Sequence, residues 1–190
     1  LTPGSDAERA VVGRLGDGDR LRAARVHPIA LLAALKVYEQ GRGERGSLAW
    51  TPSKKTVVAL DEAFYLAFAA VEPTGKRIRL ALDVSGSMDG TTVNGMPFLS
   101  AREASAALAL VTLATERDAH VVAYSHRLVG VNLRPSMRLD EVIRTLSAIP
   151  FGGTYCSLPI QQATESGQAQ QAGFDAATPA VLADFARGAV

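Results

Sequence analysis

A chain of 190 residues suits one globular domain, or one domain with an attached fragment. Its 47% hydrophobic content is ordinary for a soluble globular chain, and a net charge of +1 excludes a global electrostatic pull toward nucleic acid. Cys156 is the only cysteine, which excludes an internal disulfide and fits a reducing cytoplasm, and no apolar run is long enough to span a bilayer. The charge is unevenly spread. Residues 1–82 carry 13 Lys/Arg against 9 Asp/Glu, and residues 83–190 carry 7 against 10. A basic half suits phosphate and an acidic half suits a cation, although a solvated surface accounts for the same imbalance. No signal-peptide pattern is present, and the chain starts at Leu1 rather than Met, so it reads as a piece of a longer protein.

In chain order, residues 7–15 predict a short helix interrupted by Gly13, Gly16 and Gly18. A clearer helix covers 28 to about 40, with Pro28 in the first turn and Leu31, Leu32, Leu35 and Tyr38 on one face. Gly41 and Gly43 end it, and Arg42, Arg45, Lys54 and Lys55 cluster in and after the next loop. Another helix is expected over about 53–71, with Val57, Leu60, Phe64 and Ala67 as its buried stripe and Val58, Leu66 and Phe68 widening it. Glu72-Pro73-Thr74-Gly75 is a turn and the expected domain junction, dividing 1–73 from 74–190.

From Lys76 the pattern changes. Ile78, Leu80 and Leu82, with Ala81 and Val84 on the other face, predict a central parallel strand. Residues 89–97 read as a polar loop. Ser100 and Glu103 form a capping-box signature for a nearly all-apolar helix over 101 to about 116. Strands are expected at 120–124 and 128–133, close enough for a hairpin. Helices are expected at 139–148, with Leu139, Val142, Ile143 and Leu146 inward, and at about 157–168. The alternation argues for a doubly wound α/β sheet preceded by helices. His27, His120 and His126 show no metal-ligand spacing and read as ordinary structural residues.

The most specific chemistry lies at the end of the first strand. Asp83-Val84-Ser85-Gly86-Ser87 brings one carboxylate and two hydroxyls, at alternate positions, to a strand's C-terminal end. Hard oxygen donors gathered there suit a hard divalent cation such as Mg²⁺, at the place where α/β sheets bind ligands. Spacing excludes an EF-hand loop, which needs Gly and Glu where this chain has Met88 and Asn94. It also excludes a nucleophile elbow and a phosphate-binding loop, since neither the flanking glycines nor a Gly-Lys-Ser/Thr ending is present. A plain strand running into a Ser/Gly-rich turn remains the simple alternative. A second Gly-rich turn, Gly152-Gly153-Thr154-Tyr155, offers another hydroxyl from Thr154. Cys156 beside it is a poor Mg²⁺ ligand and reads as a small packing residue.

The Asp-x-Ser-x-Ser order and the later threonine turn resemble the metal-ion-dependent adhesion site of a von Willebrand factor A domain. A more specific likeness runs over about residues 8–165. Ala24-Arg25-Val26-His27-Pro28, Gly41-Arg42-Gly43-Glu44-Arg45-Gly46, Ala59-Leu60-Asp61-Glu62-Ala63-Phe64-Tyr65, Val71-Glu72-Pro73-Thr74-Gly75-Lys76-Arg77, the Asp83 motif and Gly152-Gly153-Thr154 resemble, in order, the Ro 60 kDa autoantigen family. The family includes bacterial members, and this chain reads as a C-terminal portion. The resemblance implies a TROVE-type ring of helical repeats closed by a von Willebrand A domain, so that 1–73 would be the end of the ring. It implies cytoplasmic, non-enzymatic proteins that bind small noncoding Y RNAs and the 3′ ends of misfolded RNAs and assist nucleases such as exoribonucleases. It assigns Ser85, Ser87 and Thr154 as hydroxyl ligands of Mg²⁺ or another divalent cation, with Asp83 binding directly or through water. An open coordination position would take an acidic residue from a partner.

The chain departs from the family twice. Tyr155 stands where the family has an aspartate after the loop threonine. The third metal loop, a strand ending in Thr-Asp, is not found. Thr178-Pro179 predicts a helical tail instead, and Asp175 and Asp184 follow no strand pattern, so the domain reads as incomplete or divergent after about 168. With one carboxylate instead of two, Mg²⁺ affinity should fall. Three functions follow in order of preference: an RNA-associated protein, a divalent-dependent protein-interaction module without RNA, and an enzyme using Ser85 or Ser87 as nucleophile. The arms of a test differ. Arg42, Arg45, Lys54 and Lys55 would contribute phosphate contacts to the first.

Overall fold

Ser5 starts the fold, its hydroxyl accepting the Glu8 amide at 3.2 Å to cap helix α1 (Asp6–Leu15). The computed structural model describes residues 2–43, 46–150 and 152–165, and packing divides the chain into two units. One is Leu1–Pro73 with Met96–Phe98, and the other is Thr74–Gly95 with Leu99–Val190.

In the first unit, α1 passes through Gly13 to Leu15, so that glycine does not interrupt it. Packing against a longer helix outweighs the roughly 1 kcal/mol that a mid-helix glycine costs. Asp17 caps a short helix, α2 (Gly18–Ala23), absent from the sequence expectation. α2 ends in a Schellman turn: the Val26 amide donates to Leu21 and the Arg25 amide to Arg22, with Arg25 at φ 50°. His27 caps α3 (Pro28–Glu39), its Nδ1 accepting the Ile29 amide at 3.2 Å, with Pro28 at the first helical position. After α3, Gly41 adopts φ 67°, and the Trp50 amide donates to its carbonyl at 2.8 Å.

Helix α4 (Lys54–Leu66) continues into a 3-10 turn at Ala67–Ala70 and packs on α3 and α1. Its buried face is Thr56, Ala59, Leu60, Ala63 and Phe64, followed by Ala67. Val58 and Leu66 do not widen that face: they are 53% and 40% exposed. At about 100° per residue, Val58 falls roughly opposite the middle of the buried face, whereas Leu66 falls at its margin beside Ala59 and stays partly in solvent. Lys54 and Lys55 occupy the first turn of α4, where the helix dipole disfavours cations. Glu8 brings a carboxylate to that end. It accepts from Thr56 Oγ1 at 3.2 Å and from the Gly4 amide at 2.6 Å. Hydrogen bonding from Ser53, then from Gly4, holds its carboxyl below the ordinary range despite burial.

The second unit is built on β1 (Ile78–Asp83). Its parallel partner is β4 (Ala119–Tyr124), in a register that sets Ile78 beside Ala119 and Asp83 beside Tyr124. β5 (Leu128–Gly130) returns antiparallel to β4, giving the order β1-β4-β5. Among the described residues, β1 therefore lies at an edge of this sheet rather than at its centre. Apolar residues on both faces of a strand report that both faces are covered, here partly by α6 (Ala101–Thr115), and not that both edges are paired.

The segment read as a polar loop holds a single helical turn, α5 (Ser87–Gly90), and two paired strands, β2 (Thr92–Val93) and β3 (Met96–Ser100). Asn94-Gly95 joins the strands, with Gly95 at φ 75°. The capping box of α6 forms as expected: Ser100 Oγ accepts the Glu103 amide, and Glu103 accepts the Ser100 amide at 3.0 Å. Ala104, Ala106, Ala107, Ala109, Leu110 and Val111 bury that helix. α7 (Leu139–Ser147) packs on α6 through Leu139, Val142 and Leu146, with Ile143 half-buried, and α8 (Leu158–Glu165) lies near β4. The turn entering β1 is tied to the end of α6, where Glu116 accepts the Thr74 and Gly75 amides at 2.6 and 3.2 Å. The expected helical tail at Thr178-Pro179, and the carboxylates Asp175 and Asp184, lie outside the described residues.

Candidate functional site

The register of β1 and β4 decides where the two hydroxyl-bearing loops emerge. Parallel strands end at the same edge of a sheet, and Asp83 is level with Tyr124. At the end of β1 the chain turns on Asp83, whose Oδ1 accepts the Ser85 amide at 2.7 Å. This turn uses one lone pair of the carboxylate. Ser85 Oγ then lies 3.0 Å from Ser87 Oγ, so the two serines share one local site. Ser85 is buried, Asp83 is half-buried and Ser87 is exposed, a gradient leading from the strand end to the surface.

The second loop is anchored to the end of β4. The Val84 amide donates to the Tyr124 carbonyl at 2.9 Å, and the Tyr155 amide donates to the Ser125 carbonyl at 2.9 Å. Thr154 is therefore held beside the residue after β4, at the same sheet edge as Asp83. Gly152 has a packing reason. A Cβ there would lie 2.6 Å from His126 Nδ1, inside any real contact. His126 Nδ1 also stands 3.3 Å from Ser125 Oγ. Tyr155 is 58% exposed, and Cys156 is exposed rather than packed, because the loop bonds through its backbone and leaves these side chains outward.

Below the first loop sits a residue that the sequence reading passed over. Arg102, in the first turn of α6, is 2% exposed. Its Nε donates to Asp89 Oδ1 at 2.5 Å, and Nη2 donates to the carbonyls of Ser85 at 3.2 Å and Val84 at 3.4 Å. Nη1 is buried without a hydrogen-bond partner. A charged residue in the first turn of an apolar helix was its only sequence signal.

The donor chemistry of the first loop fits a hard cation, with a carboxylate oxygen and two adjacent hydroxyls at one strand end. Among the described residues no three His, Cys, Asp or Glu side chains gather as ligands, so a cation here would rest on hydroxyls and Asp83. Of the basic residues singled out for phosphate, Arg42 is exposed in a bridge to Ala49, and Lys54 and Lys55 are exposed on α4. Arg45 lies outside the described residues. No described helix is long and apolar enough to cross a membrane.

Comparison with known proteins bears on the family and the fold. Residues 77–171 match the family model described as the Ro60 vWA domain. The chain is 44% identical over 156 residues to a Caenorhabditis elegans protein named RNA-binding protein RO60, covering 82% of this chain and 24% of that one. A Deinococcus radiodurans protein of the same name is 41% identical over 166 residues, covering 87% of this chain and 31% of its own length. The chain thus spans less than a third of either relative. The crystal structure of Deinococcus radiodurans RO (RSR) protein superposes with a TM-score of 0.82 at 33% identity, over all of this chain and 50% of that one. The α/β unit with Asp83 and Thr154 at its sheet edge is a von Willebrand factor A fold preceded by helices, and the chain belongs to the Ro60 vWA domain family.

Proposed function

We propose that this chain is part of a Ro-type RNA-binding ribonucleoprotein. It serves a protein that takes small noncoding, Y-type RNA or the single-stranded 3′ ends of misfolded RNA, in RNA processing or quality control. The observation that carries this reading is identity of 44% and 41%, over most of the chain, to two proteins named as RNA-binding. The exposed Arg42, Lys54 and Lys55 supply positive charge of the kind that phosphates need. On this reading residues 1–73 end a TROVE-type ring, the protein is cytoplasmic, and it binds RNA without catalysing a reaction on it. An exoribonuclease is the partner that would act on the bound RNA. The test is fluorescence anisotropy of the whole chain with a structured RNA bearing a free 3′ end. Binding should weaken by orders of magnitude between about 50 and 200 mM salt if several phosphates are contacted. No binding at the lower salt removes RNA from this chain's role.

The hydroxyl cluster favours a second, compatible reading. Asp83, Ser85, Ser87 and Thr154 hold Mg²⁺ or a similar cation, which when bound offers a coordination position to an acidic residue of a protein partner. Titration with Mn²⁺ followed by electron paramagnetic resonance tests it. Saturable binding lost in Asp83→Ala supports the site, and absence of binding by the unaltered chain rejects it.

A further inference from the structure

Resting on that metal reading, we propose that Arg102 is the positioning residue of the cation loop. It is a guanidinium gripping residues 84–89 from beneath and setting the separation of the Ser85 and Ser87 hydroxyls. Arg102 is a costly charge where it stands. It is buried, and it lies in the first turn of α6, where the helix dipole opposes a cation. Such a charge is stable only through the partners that it holds, and among the described residues all of its hydrogen-bond partners belong to this loop.

The grip has two arms. Nη2 draws on the carbonyls of Val84 and Ser85, just after Asp83, while Nε holds the carboxylate of Asp89, two residues beyond Ser87. Ser87 therefore lies between the two fixed points, and the arc joining them brings its Oγ to 3.0 Å from Ser85 Oγ. Backbone bonds within the arc, from the Met88 amide to Ser85 and from the Thr91 amide to Ser87, complete the turn. The Ala101 amide, donating to the Thr91 carbonyl at 2.8 Å, and Met88 packed on Ala101 seat its far end on α6 and leave the Ser85 end to Arg102. A planar fork with donors in several directions can make both arms at once. A lysine ammonium at the same depth would serve them poorly.

The same grip sorts the charges. Asp89 faces Arg102 and neutralises it, which leaves Asp83 as the loop carboxylate available to a cation. Without Asp89, a bare guanidinium beneath the serines would repel the ion.

The experiment measures Mn²⁺ affinity by electron paramagnetic resonance and folding by circular dichroism, on the whole chain, for the unaltered protein, Arg102→Met, Arg102→Lys and Asp89→Asn. Arg102→Met should bind Mn²⁺ at least about tenfold more weakly, the scale expected when a residue supporting metal ligands is lost. Arg102→Lys should recover part of that loss. Asp89→Asn, altered at an exposed side chain and keeping an oxygen for Nε, should fold with reduced stability and bind several-fold more weakly. Amide exchange over 84–89 should speed up in all three variants. A folded Arg102→Met with unaltered affinity overturns the proposal. If that variant fails to fold, unaltered affinity in both Arg102→Lys and Asp89→Asn does the same. An unaltered protein that binds no Mn²⁺ overturns the metal reading itself, and this role with it.

Discussion

The Tyr155 amide donates to the Ser125 carbonyl at 2.9 Å, fixing the glycine-rich loop to the residue that follows β4. Thr154 is held by that bond while its own side chain stays exposed. Thr154→Ala should therefore leave folding intact and weaken Mn²⁺ binding at least about tenfold, since losing even a residue that only supports a ligand costs that much. Affinity equal to the unaltered chain would show a cation held by the first loop alone.

Gly152 and His126 form a pair that a single methyl group disturbs. A Cβ on residue 152 meets His126 Nδ1 at 2.6 Å and Cγ at 3.2 Å, so either the ring or the loop must move. Gly152→Ala is expected to lower Mn²⁺ affinity, and His126→Ala in the same chain to restore most of it. Failure of the second substitution to restore binding would place the fault elsewhere than in this contact.

Arg25 sits at the left-handed position of the Schellman turn closing α2, at φ 50°. Glycine adopts that conformation without the Cβ clash, which costs roughly 1–2 kcal/mol and is partly offset by glycine's greater freedom when unfolded. Arg25→Gly should stabilise the first unit by about 1 kcal/mol. A higher urea midpoint at unchanged slope is the expected result, and a lower midpoint would mean that the arginine side chain contributes more than its backbone costs.

Glu116 makes stability depend on acid. Its carboxylate accepts the Thr74 and Gly75 amides, and the Thr74 bond, outweighing desolvation, holds its carboxyl below the ordinary value. A lowered folded value means that the contribution is complete above the unfolded value of about 4.3 and is lost as pH falls through the lowered one. Glu116→Gln should be less stable than the unaltered chain near neutrality, with the gap closing in acid. Urea unfolding at both ends of that range reads it; a gap that stays constant with pH would contradict the assignment.

The sequence displayed its local signals well and its distant pairings poorly. Ser100 and Glu103 announce the start of α6 because a capping box involves residues three apart. Asn94-Gly95 carried an equally local hairpin signal, yet β2 is only two residues long and Pro97 interrupts the apolar run of β3, so neither read as a strand. Val58 and Leu66 show that apolar character alone does not choose a helix face. The Asp83 motif could be read because its three side chains lie within five residues. Arg102 could not, since its partners Val84, Ser85 and Asp89 are 13 to 18 positions away and two of them act through backbone carbonyls that carry no sequence signature. Tyr155 and Cys156 look outward for a similar reason: a backbone bond to Ser125 orients the loop.

The parallel register of Asp83 with Tyr124 gives the sheet edge a thermodynamic property. Residues of the first loop and Thr154 are neighbours only in the folded chain, since about seventy positions separate them along the sequence. An ion gripped by both loops therefore has no equivalent seat in the unfolded ensemble, and mass action converts its binding into folding free energy. At a concentration a hundredfold above its dissociation constant, that gain is about 2.7 kcal/mol. Melting temperature then becomes an occupancy gauge: an ion seated only in the folded chain raises it, and one that binds the folded and unfolded chains alike does not.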